Sequence, residues 1–213
     1  DNDGIADIPV SYAGGFAFVF GGNYLKAKRD WRFIQLQQRS QVLTVKCLAS
    51  AQCSWVADVG DFNGDGVRDA VIESDVLFYV LFGGSHLRSF ENIDLAWDNA
   101  TSFYITVARP PRSMIARSGD NAHNADVNGD GLQDLLLSTA VYDLFPPQVI
   151  VLGYVIFGRD TNFTSQNWTM LEPTDGFAIV GDFAHGGATL TRAGDLNGDG
   201  AEEIAVFPSP PMD

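Results

Sequence analysis

The chain of 213 residues is predicted to be all-β, a partial β-propeller made of four-stranded blades, with an acidic loop in the first hairpin of each blade. Three observations carry that reading. An acidic nine-residue segment recurs at near-constant spacing. A Phe-Gly pair recurs in phase with it. The runs between are rich in Val, Ile and Phe, are punctuated by Gly, Asn and Asp, and hold no sustained 3.6-residue period, so any helix is expected to be short.

The acidic segments align without gaps as Asp61-Phe-Asn-Gly-Asp-Gly-Val-Arg-Asp69, Asp126-Val-Asn-Gly-Asp-Gly-Leu-Gln-Asp134 and Asp195-Leu-Asn-Gly-Asp-Gly-Ala-Glu-Glu203. Their starts are 65 and 69 residues apart. Asp1-Asn-Asp-Gly-Ile-Ala-Asp7 matches the same pattern from its third position, so the chain is expected to start inside a repeat. Phe20-Gly21 and Phe82-Gly83 each follow the last acid of a loop by 13 residues. Phe157-Gly158 follows Asp134 by 23, which marks a ten-residue insertion around Phe145. A Trp follows each pair, at Trp31, Trp97 and Trp168, and is read as a packing element of the repeat.

Each repeat then reads as four strands. The first leads into the acidic loop (54–60; 189–194), and the second leaves it (69–72; 134–137). The third ends at Phe-Gly (77–82; 149–157), and the fourth follows the Trp (42–46; 103–107; 177–180). Four strands per 62–69 residues suit a propeller blade somewhat longer than the roughly 40–50 residues of the commonest propeller repeats. The expected organisation is one partial propeller over 1–213. It comprises an incomplete blade (1–50), two blades (51–116 and 117–184) and the start of another (185–213).

Composition excludes several functions. With 13 Lys+Arg against 27 Asp+Glu the formal charge is −14, so no nucleic acid partner is expected, because phosphate contacts need clustered cations. A hydrophobic content of 46% argues against disorder. The longest apolar stretch, 149–157, is about half of the roughly 20 residues a membrane helix needs, so no membrane segment is expected in this chain. His86, His123 and His185 are scattered and form no zinc or nucleophile constellation, so the chain is not expected to be an enzyme.

The acidic loop has the chemistry of a Ca²⁺ site. Hard oxygen ligands converging from a short segment suit an ion that takes 6–8 oxygens at about 2.3–2.6 Å. Mg²⁺ prefers water and few protein ligands. The expected ligands are Asp61, Asn63, Asp65, the carbonyl of Val67, and Asp69 in the first loop. They are Asp126, Asn128, Asp130, Leu132 and Asp134 in the second, and Asp195, Asn197, Asp199, Ala201 and Glu203 in the third. A partial fourth set is Asp1, Asp3, Ile5 and Asp7. An EF-hand requires a Glu at position 12, but Ile72, Leu137 and Val206 stand there, so that reading fails and position 9 must close the site. Asp, Asn and Gly also favour plain turns. Repeated carboxylates at such short range repel one another, however, and a cation answers that. Each ion is expected to clamp a hairpin and to add its binding energy to folding.

At this point the chain resembles the FG-GAP repeats of the integrin α-subunit β-propeller and its relatives. The matching residues are Val19-Phe-Gly-Gly22, Leu81-Phe-Gly-Gly84, Val155-Ile-Phe-Gly158, the acidic loops, and Gly176-Phe-Ala-Ile-Val-Gly-Asp182 followed by Gly186-Gly-Ala-Thr-Leu-Thr-Arg-Ala-Gly-Asp195. Glu73-Ser-Asp75, Ser138-Thr-Ala140 and Pro208-Ser-Pro210 stand where relatives carry Gly-Ala-Pro. The resemblance implies seven blades, of which about three are present and contiguous with missing ones. It also implies about three complete Ca²⁺ sites on one face and an extracellular protein or glycan ligand on the opposite face, with cell adhesion as the role. By position the ligand-face segments are 108–121, 181–188 and the insertion near Phe145. A carbohydrate-binding lectin and an accessory propeller of a secreted hydrolase or lyase are the alternatives.

Lesser signals agree with a secreted setting. Cys47 and Cys53 end a short loop that a disulfide would pin in an oxidising compartment. Asn99, Asn162 and Asn167 open N-glycosylation acceptor patterns. The basic segment 26–32 is read as a solvated loop.

Overall fold

The structure, a computed structural model, describes residues 1–12, 15–27, 29–47, 53–74, 77–95, 104–108, 113–114, 122–138, 140–141, 150–159, 166–167, 173–181 and 188–208. It is all-β. The chain opens with β1 (Ile8–Tyr12), β2 (Gly15–Val19), the five-residue helix α1 (Phe33–Gln37) and β3 (Val42–Lys46). Next come β4 (Cys53–Gly60), β5 (Asp69–Ser74), β6 (Leu77–Leu81), β7 (Asn92–Asp94), β8 (Tyr104–Ala108) and β9 (Ser113–Met114). They are followed by β10 (Ala122–Ala125), β11 (Asp134–Ser138), β12 (Ala140–Val141), β13 (Ile150–Ile156), β14 (Gln166–Asn167) and β15 (Gly176–Gly181). The hairpin of β16 (Ala188–Gly194) and β17 (Glu203–Pro208) comes last. Short 3-10 turns at Asn23–Ala27 and Ser85–Ser89 follow the first two Phe-Gly pairs. No helix among the described residues is long and apolar enough to cross a membrane.

Strands consecutive in the chain pair as antiparallel meanders. One sheet has the order β10-β11-β13-β15, and another runs β8-β6-β5-β4. In the first sheet the order is β1-β2-β3, and β16 pairs with β17. Two very short strands that pair in parallel have no counterpart in the sequence reading. β7 adds in parallel to β3 (Thr44↔Asn92), and β14 adds in parallel to β8 (Gln166↔Val107). Each comes from the connection that follows the Phe-Gly pair of the next repeat, so it staples that repeat to the outer edge of the preceding sheet. Thr44, 5% exposed, fixes the first staple: its backbone N–H and its hydroxyl both donate to the Glu91 carbonyl at 3.0 Å.

The sheets stack in chain order because their strands are apolar on both faces. In β11, Leu135 and Leu137 pack with Val71, Val80 and Phe82 of the preceding repeat, whereas Leu136 turns the other way to Leu190 of β16. In β5, Val71 faces the following sheet, and Ile72 faces Phe16, Leu43 and Val45 of the first. A period of two carries the alternation, while burial of both faces makes the run continuously apolar. The outer face of the first sheet is covered by its own chain, as Leu36, Tyr24, Trp31 and Phe33 pack on Ala17, Val19 and Val42. Trp31 also donates its indole N–H to the Leu25 carbonyl at 3.2 Å, and is thus a packing element. Cys47 and Cys53 are bridged, with Cα atoms 5.7 Å apart, tying the last strand of the first sheet to β4.

Ile72 is fully buried between the first two sheets, so Ile72→Ala leaves a cavity that both must line. The expected cost is about 2–5 kcal/mol. Urea denaturation should show it as a lower midpoint with an unchanged slope.

Candidate metal centre

The three acidic loops link β4 to β5, β10 to β11 and β16 to β17, each pair antiparallel. Each loop turns through two glycines at positive φ: Gly64 and Gly66 at 76° and 83°, Gly129 and Gly131 at 72° and 89°, Gly198 and Gly200 at 80° and 97°. No heavy atom would meet a Cβ at Gly66, Gly131 or Gly200, so backbone conformation alone requires glycine there.

One hydrogen-bond pattern folds all three loops. The Asp61 carboxylate accepts from the N–H of Asp65 (3.0 Å) and of Gly66 (2.8 Å), while Asp65 accepts from the Val67 N–H (2.8 Å). Asp126 accepts from Asp130 (3.0 Å) and Gly131 (2.8 Å), and Asp130 accepts from Leu132 (2.8 Å). Asp195 accepts from Asp199 (3.2 Å) and Gly200 (3.0 Å), and Asp199 accepts from Ala201 (2.9 Å). The Asn at position 3 accepts from the position-5 N–H through Asn63, Asn128 and Asn197 at 3.1, 3.0 and 2.8 Å. The loop N–H groups thus turn the side chains at positions 1, 3 and 5 toward a common interior.

Position 9 does something else in the first two loops. Asp69 is 2% exposed and Asp134 fully buried. One Asp69 oxygen accepts from the Phe62 N–H at 2.9 Å, and the other accepts from the Gly83 N–H at 2.8 Å. Asp134 repeats this with Val127 (2.7 Å) and Gly158 (2.9 Å), and Asp7 reaches Gly21 at 2.8 Å. The phase between acidic loop and Phe-Gly pair is this contact. A Cβ on Gly83 would lie 2.1 Å from the Arg68 carbonyl oxygen, and one on Gly21 would lie 2.4 Å from that of Ala6. Only glycine lets the two backbones approach that closely. Burial pushes the Asp69 carboxyl up to about 7 and the Asp134 carboxyl up to about 6. The hydrogen bonds pull both back, and the carboxylates of Asp65, and of Asp130 and Asp126, add to the rise.

In the third loop Glu203 takes position 9, and its longer side chain stays closer to solvent. It accepts from the Leu196 N–H at 2.5 Å and from the Asn197 amide at 2.7 Å. Oxygens of Asp195, Asp199 and Glu203 all lie within 4.8 Å of one another. One ion about 2.3–2.6 Å from each oxygen fits that spacing, and the donor set is all hard oxygen, as Ca²⁺ prefers. Among the described residues this is the one group of three acidic side chains so gathered. In the other two loops the Asp at position 9 is drawn inward by its N–H partners.

The N-terminal loop differs again. Ile5 donates its N–H to Asp3 at 2.8 Å, as the pattern requires. Arg88, from the second repeat, however places its guanidinium 2.5 Å from an Asp1 oxygen and 2.8 Å from one of Asp3. A protein cation therefore occupies the position where the other loops present carboxylates alone. No local motif signals this contact, because Arg88 lies 85 residues from Asp3.

Much of the expected ligand face lies outside the described residues: 109–112, 115–121, 142–149 and 182–187. Asn99, Asn162, Trp97 and Trp168 are outside them too, and Asn167 lies in β14. Within the expected segment 108–121, β9 pairs antiparallel with β12.

The chain is similar to integrin alpha-PS2 of Drosophila melanogaster, at 31% identity over 150 residues. The match covers 69% of this chain and 10% of that protein. It supports an integrin-like relation. The chain spans about a tenth of the length of this curated relative. No family model matches the chain, and no solved structure does.

Two outcomes follow from position 9. Gly83→Ala should lower stability by about 1–3 kcal/mol, read by chemical denaturation, because the added methyl would meet the Arg68 carbonyl and the Val67 side chain. Without divalent cations, the folded chain binds protons at Asp69 and Asp134 more tightly than the unfolded chain does. Their contribution to stability should therefore be fully present below about pH 4 and should be lost as pH rises from there through about 6 and about 7. Thermal melts in chelator at a series of pH values check the sign.

Proposed function

We propose that the chain is a calcium-stabilised segment of an integrin-like β-propeller, serving as an extracellular binding module rather than an enzyme. The observation that carries the reading is the third loop, where Asp195, Asp199 and Glu203 gather oxygens within 4.8 Å inside a fold that two other loops repeat. The sheets stacked in chain order are the blades of this reading, with the loops in the first hairpin of each. The likeness to integrin alpha-PS2 and the Cys47–Cys53 bridge support an extracellular setting.

The residues fit Ca²⁺ in stated roles. Asp195, Asn197, Asp199 and Glu203 supply side-chain oxygens in the third loop, and Ala201 supplies its carbonyl. The corresponding positions serve the first and second loops, where the Asp at position 9 both ties the loop to the Phe-Gly turn and completes the anionic set. Bound Ca²⁺ supplies the positive charge that repays desolvation of the carboxylates, and its binding energy adds to folding. The ligand is a protein or glycan on the face opposite the loops, and cell adhesion is the process such a module serves.

Calorimetric titration with Ca²⁺ should show about three sites, and Asp65→Ala should remove one. Saturating Ca²⁺ should also raise the melting temperature in proportion to the logarithm of its concentration. An unchanged melting temperature with no heat of binding would overturn the reading.

A further inference from the structure

The three loops are bonded to one another as well as to their own hairpins. The Gln133 N–H, at position 8 of the second loop, donates to the carbonyl of Asp61, position 1 of the first, at 3.1 Å. One repeat later the same bond recurs. The Glu202 N–H, at position 8 of the third loop, donates to the Asp126 carbonyl at 2.7 Å. There the bond is returned, since the Asp126 N–H donates to the Glu202 carboxylate at 3.0 Å. Arg192 holds the other Glu202 oxygen, so the carboxylate is fixed from both sides. Ala201, at position 7 of the third loop, lies 3.6 Å from where a Cβ on Gly129 would stand.

We propose that position 8 of each loop positions the first ligand of the loop before it, so that the loops bind Ca²⁺ as a coupled row. Glu202 is the positioning residue of the strongest link. It touches no ion in its own loop, but it is adjacent in sequence to Glu203, which closes that loop. An ion bound in the third loop would hold Glu202 at the place where it clamps both backbone polar groups of Asp126. The second loop then needs less ordering to bind. Coupling of this kind is reciprocal, so filling the second loop also favours the third. Gln133 provides the weaker link to the first loop, through its backbone N–H alone. The inference rests on the calcium reading above.

The test is a Ca²⁺ titration of the 213-residue chain followed by NMR of the amides of Gly66, Gly131 and Gly200, one per loop. Asp199→Asn should silence Gly200 and raise the Ca²⁺ midpoint at Gly131 by about fivefold or more, the lower end of coupling between linked sites. The midpoint at Gly66 should move less. Glu202→Ala should raise the Gly131 midpoint while Gly200 still responds. Glu202→Gln, which keeps a carbonyl acceptor for the Asp126 N–H, should restore most of the wild-type value. Unmoved amides in β5 and β11 certify the fold of each variant. If Gly131 titrates at the same midpoint in wild type, Asp199→Asn and Glu202→Ala, the coupling is overturned and the calcium reading stands. Silence at all three glycines in the wild type overturns both.

Discussion

The structure depends on a carboxylate taken out of water. Asp69 and Asp134 are buried at the base of their loops, and each oxygen accepts from a backbone N–H. One donor lies in the loop, the other at the Phe-Gly glycine that ends the third strand of the repeat. That residue therefore joins the first hairpin to the third strand, and it satisfies amides that would otherwise be buried without partners. Asn could accept at one oxygen only and would set an amide donor against the second N–H, so the geometry requires the two acceptor oxygens of a carboxyl group. Desolvation, only partly offset by the N–H groups, is the main cause of the upward shift of both carboxyls.

A cation is the natural complement of that cost. Twelve of the 27 acidic residues occupy the expected ligand positions, so the −14 charge is concentrated on the loops rather than spread over the surface. Arg88 at Asp1 and Asp3 shows how the fold treats such carboxylates when a protein cation is within reach. In the first and third of the complete loops the nearby cationic side chains are committed elsewhere. Arg68 pairs with Asp58, and Arg192 pairs with Glu202, both across the base of a hairpin. The loop interiors keep only oxygens and amide groups.

The features legible in the sequence are those set within one hairpin. The loops, the glycines at positions 4 and 6, and the strands leaving them follow from local turn chemistry and period-two burial. The strand expected over 42–46 is observed there, and that expected over 69–72 extends to Ser74. The contact behind the Phe-Gly phase was visible as a spacing of 13 residues in two repeats, lengthened to 23 in the other, without its cause. What remained hidden is set by partners far along the chain. β7 and β14 have three and two residues, too few for any periodicity, and exist because an outer strand offers them free backbone groups. The bonds from position 8 to the preceding loop leave little trace in residue type, since Gln133 and Glu202 both donate through the main chain and only Glu202 adds its carboxylate.

Position 2 of each loop shows how far loops and stack form one unit. Phe62 is fully buried and packs with Leu135, Leu137 and Ile156 of the following repeat, while its carbonyl accepts from the Arg159 N–H at 3.0 Å. Val127 packs with Leu190 and Ile204 of the repeat after its own. Leu196, at the same position of the third loop, is 74% exposed. The three side chains sit in nearly identical backbone, so the difference is made by the sheet that follows, not by the loop. A loop is thus held from inside by its carboxylates and from outside by its successor. The wedge of Phe62 between two sheets conveys to the loop any shift in their packing. Loop order and sheet stacking then rise and fall together, as expected of a repeat array whose stability is a sum of neighbour terms.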